Sequence, residues 1–441
     1  MNNILKGFRK KFQKVYKKLT KIEKLILIFC CMALVVGVVG LMVNTIQAQK
    51  SDQGIFRGGV YTEGVLFDNS ALLEKNIITL TKSGLLRLDE NLALLPSIAT
   101  DWKVDQTGKE YSFTISEKVN SQQVVDSLKT YKNDFSGLNI EARDNQVIIK
   151  SEKPLGSLLY NLTEPMIDFG PYKIQSQDSA KVVLVANSNW IFGEPYISKI
   201  VLKFYQNEDR LINGLANGEI QGAGNILFGG EKYNHYSLEL NKNLSLFFNL
   251  SLPKLQDIAL RKTLRDGGNY QKGADLILTT VDQQMYIQEA EAIQARAEKQ
   301  NIKIGLEYLA LETVRDVIIK NRDYELLLFG LEMGRDPDLY PYYHSSQIDY
   351  PGQNLSQMFD LGIDKILDEA RRETDPTKRK EQSQLAQQEI DKKIPSFTVK
   401  KLLYDYTLSK EIQNVKVGRG INEADRFGNV WEWQINKSKI K

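Results

Sequence analysis

The chain has 441 residues, of which 42% are hydrophobic and 26% charged, a composition typical of a globular protein with two or three domains. Its formal charge of +3 is unevenly distributed, because residues 1–24 sum to +8 and the remainder, by subtraction, to −5. An acidic body disfavours nucleic-acid binding. Two cysteines and two histidines supply too few side chains for a disulfide scaffold or a Cys/His metal centre.

The first predicted element is a transmembrane helix over Leu25–Val43, which contains no charged side chain. Such a helix spans about 28 Å, the thickness of a hydrocarbon core. Because the basic segment precedes it, the positive-inside rule predicts a cytoplasmic N-terminus and an extracytoplasmic body. A cleaved signal peptide is the alternative, but its apolar region usually has only about 7–15 residues. We therefore predict a cytoplasmic tail at 1–24, an uncleaved anchor at 25–46 and a tether at 47–58.

Short strands are predicted in the first half of the body. Four runs of β-branched or aromatic residues are bounded by turn-forming residues: Tyr111–Ile115, Val147–Lys150, Lys181–Val185 and Ile200–Tyr205. In the last run Ile200, Leu202 and Phe204 alternate with Lys203 and Tyr205. This alternation predicts a strand with one buried face.

Strands and helices alternate in the second half of the body. The predicted order is strand Asp275–Thr280, helix Gln284–Gln300 capped by Asp282, strand Ile302–Leu306, helix Glu312–Asn321 and strand Tyr324–Phe329. Crossovers of this length predict parallel pairing in an open α/β sheet. Such sheets bind ligands beyond the carboxyl ends of their strands, so we expect residues 279–282 and 330–338 to face a ligand.

A series of motifs, in a fixed order, resembles the extracellular solute-binding proteins of family 5, the oligopeptide-, dipeptide- and nickel-binding receptors of ABC importers. The motifs are Gly58–Glu63, Ser83–Asp89, Leu95–Trp102, Asp105–Phe113, Gly170–Lys173, Asn187–Ile200, Leu215–Ile220, Arg335–Gln347 and Ile363–Pro376. Compared with that family, the segments between Ser116 and Leu155 and between Arg261 and Asp275 are short. The chain is therefore identified as resembling a shortened family 5 member.

This resemblance implies an α/β, two-lobed periplasmic-binding-protein-like fold of type II, cluster C-like, with a hinge. We expect lobe 1 at 59–245, lobe 2 at 246–408 and a return to lobe 1 at 409–441, with crossings at Leu246–Leu250 and Leu402–Leu408. The implied function is a receptor that closes its lobes around a peptide or other small solute and then engages the permease subunits of an ABC transporter. We predict no cofactor and no metal site in the protein, and the resemblance leaves open whether the cargo is a peptide, nickel, haem or a sugar.

Two loops supply most of the predicted ligand contacts. The first loop is residues 61–63, at the position that follows the first strand in the family. Glycines in the loop Gly330–Asp336 allow a ligand to approach the backbone closely, and we expect Glu332 to bind a peptide's amino terminus and Arg335 its carboxylate. The predicted ligand-binding residues are Tyr61, Thr62, Glu63, Thr280, Asp282, Leu331, Glu332, Met333, Arg335 and Asp336.

Several alternatives stay open at this stage. Arg335 is also placed to pair with Asp336 or Asp338 at the surface. His344, among tyrosines, is more typical of packing than of metal binding. A shortened pocket also suits an interaction protein that keeps the fold without binding a small ligand. No acid, base and nucleophile constellation is visible in the sequence, so an enzyme is disfavoured.

Overall fold

The computed structural model describes residues 57–131, 135–336 and 338–436. The predicted transmembrane anchor lies outside the described residues. Within the described ranges, no helix has both the length and the apolar character needed to cross a membrane.

Strands and helices alternate throughout the described chain. The strands are β1 Val60–Leu66, β2 Leu86–Leu88, β3 Leu94–Pro96, β4 Ala99–Val104, β5 Glu110–Ile115, β6 Asn139–Arg143, β7 Gln146–Lys150, β8 Tyr172–Gln177, β9 Lys181–Ala186, β10 Lys199–Tyr205, β11 Gly222–Gly224, β12 Tyr233–Phe248, β13 Ala274–Val281, β14 Ile302–Leu309, β15 Leu326–Glu332, β16 Ser396–Ser409, β17 Ile412–Gln413, β18 Arg419–Gly420 and β19 Gln434–Ile435. The α-helices are α1 Ser70–Thr81, α2 Ser121–Thr130, α3 Leu158–Asn161, α4 Glu208–Ala216, α5 Ile258–Asp266, α6 Gln284–Glu298, α7 Leu311–Thr313, α8 Tyr340–Tyr343, α9 Leu361–Arg372 and α10 Pro376–Lys393. A π-helical segment, Val314–Ile319, continues α7, and 3₁₀ turns lie at Pro253–Leu255, Ser345–Gln347, Glu423–Phe427 and Val430–Glu432.

One large sheet runs through both lobes, in the order β14-β13-β15-β12-β16-β11-β1-β10-β9-β8, with β18 beside β12. The long antiparallel pair β12 and β16 connects its two halves. We call the half built on β1 and β8–β11, with its flanking elements and the C-terminal segment, lobe 1, and the half built on β13–β15 lobe 2. The two-lobed α/β architecture expected from the sequence is therefore present.

The crossing between the lobes lies in the middle of β12. Residues 242–248 of this strand pair with β15, whereas residues 233–239 lie beside the part of β16 that pairs with β11. The register with β16 shifts between Glu239 and Asn243, and shifts again between Leu244 and Ser245. Such irregularities bend a strand. Both shifts lie just before Leu246, where the predicted crossing Leu246–Leu250 begins.

Lobe 2 follows the predicted strand–helix alternation. β13 pairs in parallel with both β14 and β15, and α6 buries Ala290, Ile293 and Ala297 against them. Two details of the prediction are wrong. Asp282 does not cap α6, because the N-cap is Gln283, without a side-chain bond. Gly330 lies in β15 rather than in a loop, because this strand stays paired with β12 as far as Glu332.

Lobe 1 contains the predicted strands and a second, smaller sheet. β4, β5, β7 and β6 form this sheet. In β10, Ile200 and Leu202 are buried as predicted, but Tyr205 is buried instead of Phe204. Phe204 lies near the end of β10, where its ring packs edge-on against the exposed ring of Phe67. The C-terminal segment returns to this lobe and buries Trp433 in its core.

The start of α5 allows a stability prediction that depends on pH. The Asp257 carboxylate accepts hydrogen bonds from Lys272 Nζ at 2.7 Å, the Tyr270 hydroxyl at 2.9 Å and the Ala259 N–H at 2.9 Å. These bonds, that from Lys272 most of all, lower the pKa of Asp257 to about 2. Because the unfolded pKa is about 3.9, the stabilisation is fully present above that pH and is lost as the pH falls through about 2.

We expect Asp257→Ala to lower the free energy of unfolding by about 1–2 kcal/mol at pH 7, because it removes the helix cap, and by less at pH 3. Urea unfolding of the variant and the wild type at both pH values measures the two differences. If Asp257→Ala lowers the free energy of unfolding equally at pH 7 and pH 3, the carboxylate of Asp257 does not stabilise the protein in the way described.

Candidate ligand-binding site

A cavity of about 350 Å³ lies where Arg335 of lobe 2 meets lobe 1. Its volume is within the range of about 300–1,000 Å³ found for small-molecule sites. The β2–β3 hairpin, the segment around Thr163 and the C-terminal segment form most of its walls. The charged side chains that line it are Lys82, Arg87, Asp89, Glu90, Arg335, Lys416, Arg419, Asp425 and Glu432.

Three aromatic side chains, Trp190, Phe192 and Trp431, form one side of the cavity, and we call them the aromatic wall. The rings of Phe192 and Trp431 are stacked with centroids 5.2 Å apart, and Trp190 meets both at 5.6 and 5.8 Å. Trp190 is only 2% exposed, yet its indole Nε1 has no hydrogen-bond partner among the described residues. A buried donor without a partner is costly unless a ligand or water satisfies it.

Arg87 extends from β2 beside the aromatic wall. Its guanidinium carbon lies 5.3 Å from the centroid of the Phe192 ring and 6.0 Å from that of the Trp431 ring, within cation–π range. Its Nε donates to the Pro96 carbonyl at 3.1 Å. Burial lowers the pKa of the Arg87 guanidinium, although the charge of Glu432 opposes this effect.

Arg335 reaches from lobe 2 into lobe 1, where it meets two carboxylates. Its Nε lies 2.9 Å from Glu164 Oε1, although this N–H is poorly aligned with any acceptor, and its Nη2 lies 3.8 Å from Asp425 Oδ1. Burial acts to lower the pKa of Arg335, but Asp425 and Glu164 outweigh it and raise that pKa. The side chain is thus paired within the protein, although not with Asp336 or Asp338.

Glu332 and Asp336, on either side of Arg335, are also paired within the protein. Lys242 Nζ lies 3.4 Å from Glu332 Oε1. Arg379 donates to both oxygens of Asp336, at 3.1 and 2.5 Å. Burial raises the pKa of Asp336 above its ordinary value, although Arg379 opposes the rise.

The first predicted loop, residues 61–63, lies in β1, and two of its three side chains are buried in lobe 1. Tyr61 and Glu63 are fully buried. Glu63 Oε1 accepts from Arg426 Nη2 at 2.8 Å, and Glu63 Oε2 accepts from the hydroxyls of Tyr406, at 2.8 Å, and Tyr61. Burial, together with Glu63, raises the pKa of both tyrosines. The Thr62 amide donates to Gln221 Oε1 at 2.7 Å.

The other predicted residues lie apart from the cavity. Thr280 is fully buried and its hydroxyl donates to the Leu328 carbonyl at 2.7 Å. Asp282 is exposed, and Leu331 and Met333 are partly buried. Of the ten predicted ligand residues, Arg335 alone lines this cavity.

Neither Arg87 nor Trp431 was among the residues predicted to contact a ligand, although both line the cavity. For Arg87 the available signal was a cation inside the apolar run Leu85–Leu88, within a motif that resembles the family. Trp431 had no comparable signal, because its neighbours Phe192 and Trp190 lie far away in the sequence.

The long crossing strands, the two lobes and the cavity at their junction define the class of two-lobed binding proteins. The family model for bacterial extracellular solute-binding proteins, family 5 middle, matches residues 117–275. The resemblance to family 5 is therefore confirmed. A comparison with curated proteins finds no match.

Several solved structures share the fold. The ABC transporter substrate binding protein CtaP from Listeria monocytogenes is 14% identical, with a TM-score of 0.71 over 86% of this chain and 100% of that one. NikZ from Campylobacter jejuni, in complex with Ni(L-His), is 17% identical, with a TM-score of 0.61 over 85% and 99%. The oligopeptide-binding protein AppA from Bacillus subtilis, in complex with a nonapeptide, is 15% identical, with a TM-score of 0.59 over 87% and 100%. At these identities the likeness establishes the fold and not the ligand.

Proposed function

We propose that this protein is the extracytoplasmic substrate-binding receptor of an ABC importer, that it binds a small peptide, and that it has no catalytic activity. The observation that carries the proposal is the cavity between the lobes, to which lobe 2 contributes Arg335. Its walls combine aromatic rings with charges of both signs, which suit a zwitterion with apolar side chains. Relatives with this fold include a structure in complex with a nonapeptide.

The mechanism proposed is closure of the two lobes about β12 and β16. Closure around a ligand requires contacts that form only when the lobes meet. Arg335 with Glu164 is one such contact. Another joins Lys242 of β12 to Glu423 of lobe 1 at 3.6 Å, next to the cross-strand pair of Lys242 with Glu332 at 3.4 Å. The closed lobes would then present one surface to the permease.

The proposed location is the outer face of a cytoplasmic membrane, with Leu25–Val43 as an uncleaved anchor. This part of the proposal rests on the sequence alone, through the length of the apolar run and the basic residues before it.

Protease added to intact cells is expected to remove the body beyond Gln47 and to leave residues 1–24 protected, because the basic tail stays on the cytoplasmic side. Peptide mapping of the protected fragment provides the measurement. Digestion of the basic tail would reverse the orientation, and a mature chain beginning near Gln49 would identify a cleaved signal.

A second candidate is an interaction protein that keeps the fold without binding a solute. The observation in its favour is that Glu332, Arg335 and Asp336, which we expected to contact a ligand, are all paired with other protein side chains. A ligand at this loop has to compete with those pairs.

Thermal unfolding with and without a mixture of short peptides separates the two candidates. A receptor gains stability according to the ratio of ligand concentration to Kd, by about 2.7 kcal/mol at 100 times Kd. We expect a clear rise in Tm with peptides of two to five residues. An unchanged Tm with every mixture would favour the interaction protein.

A further inference from the structure

Arg87 differs from the other cationic side chains of the cavity. Each of the other four lies within 4.0 Å of a carboxylate, in the pairs Lys82–Asp168, Arg335–Glu164, Lys416–Glu432 and Arg419–Glu239. No carboxylate of the described residues lies within that distance of the Arg87 guanidinium. Beyond the bond from its Nε to Pro96, its two terminal amino groups donate to no described residue.

The surroundings of Arg87 hold its guanidinium without a direct ion pair, although the carboxylates of Glu432, Asp89 and Glu90 act on its charge from farther away. The rings of Phe192 and Trp431 lie beside it, and its Nε is held by a carbonyl. A guanidinium held in this way keeps two parallel N–H donors for a carboxylate, which is the geometry of a two-pronged ion pair. The two terminal amino groups are thus placed to form a direct ion pair with an anion that enters the cavity.

Trp190 supplies a second, independent observation that points to a ligand. This side chain is 2% exposed, lines the same cavity and has an indole N–H with no partner among the described residues. A buried donor without a partner and a guanidinium without an ion pair line one cavity, so both indicate that the missing partner is an acceptor. The apolar faces of the aromatic wall lie next to both groups.

We propose that Arg87 binds the carboxylate of the solute, while the aromatic wall packs against an apolar side chain adjacent to that carboxylate. The ligand class is therefore a small organic carboxylate with an apolar or aromatic side chain, as in a short peptide with a hydrophobic C-terminal residue. This inference rests on the proposed solute-binding function. It moves the carboxylate contact from Arg335, which Glu164 and Asp425 already neutralise, to Arg87.

Isothermal titration calorimetry on the full-length protein in detergent tests this assignment, with alanyl-phenylalanine and its C-terminal amide as probes. Because the amide lacks the carboxylate charge, we expect it to bind about 10- to 100-fold more weakly to the wild type. This comparison requires no variant. Arg87→Gln is expected to weaken binding of the acid by a similar factor and to leave binding of the amide nearly unchanged.

Arg371→Gln is the matched control, because Arg371 also lies over an aromatic ring, that of Tyr340 at 4.2 Å, but does not line the cavity. We expect it to bind both probes as the wild type does. Equal affinity for acid and amide, with full affinity in Arg87→Gln, would overturn the role of Arg87 and leave the proposed function standing. Failure to bind either probe, with no rise in Tm in peptide mixtures, would overturn both.

Discussion

Replacing Arg426 by Met is expected to lower the free energy of unfolding by about 3–5 kcal/mol, because it leaves the carboxylate of Glu63 buried without a cation. Both side chains are 1% exposed, and Arg426 also donates to Asn76 Oδ1 at 3.0 Å. The pair therefore connects the C-terminal segment to β1 and α1. Urea unfolding followed by circular dichroism measures the loss.

Arg372→Met is the control for this variant, since Arg372 is 71% exposed and lies 3.7 Å from Asp368. We expect little change in its stability, because exposed pairs contribute little. Adding Glu63→Gln to Arg426→Met removes the unpaired charge, so the double variant is expected to recover part of the loss. If Arg426→Met lowers the free energy of unfolding no more than Arg372→Met does, the buried pair has no structural role.

Replacing Gly156 by Val is expected to hold the two lobes apart. A Cβ at this position would lie 2.1 Å from the Glu373 carbonyl oxygen and 2.4 Å from Arg379 Nη1, both in lobe 2. Since backbone cannot move away as a flexible side chain does, the segment carrying Glu373 has to shift. We expect a larger radius of gyration by small-angle X-ray scattering, and weaker binding of any solute that needs closed lobes.

Gly229→Val is the matched control, because no heavy atom lies within 4 Å of a Cβ built on Gly229. It is expected to scatter as the wild type does. If Gly156→Val is folded and its scattering curve superimposes on that of Gly229→Val, the approach of the lobes at Gly156 is not needed for the compact form.

The elements of lobe 2 were predictable because their signal is local. The helical spacing of apolar residues in α6 and the apolar runs of the strands can each be recognised within a single element. The structure has these elements within a few residues of the predicted bounds. The exact ends of these strands and helices were less predictable. β15 continues through Gly330 because β12 lies beside it, and that partner comes from another part of the chain.

The environment of the predicted ligand residues was not predictable in this way, because their ion pairs join distant parts of the sequence. Glu63 meets Arg426 across 363 positions. Asp336 meets Arg379 across 43. The motif at Gly58–Glu63 therefore resembled a ligand loop, whereas the fold buries its charge against the C-terminal segment. Likewise, only the folded chain distinguishes the unpaired Arg87 from the paired Arg335.

A small solute held by Arg87 in the cavity where Arg335 meets lobe 1 is expected to remain bound during gentle purification. Native mass spectrometry of the full-length protein, purified in mild detergent from the cells that express it, detects such a solute. We expect a fraction of the wild-type protein to carry a non-covalent small molecule that denaturation releases and that fragmentation identifies as a carboxylate. Arg87→Gln is expected to lose this species, whereas Arg371→Gln keeps it. If all three proteins show only the mass of the polypeptide, and the wild type retains no added peptide, the cavity does not hold a solute through Arg87.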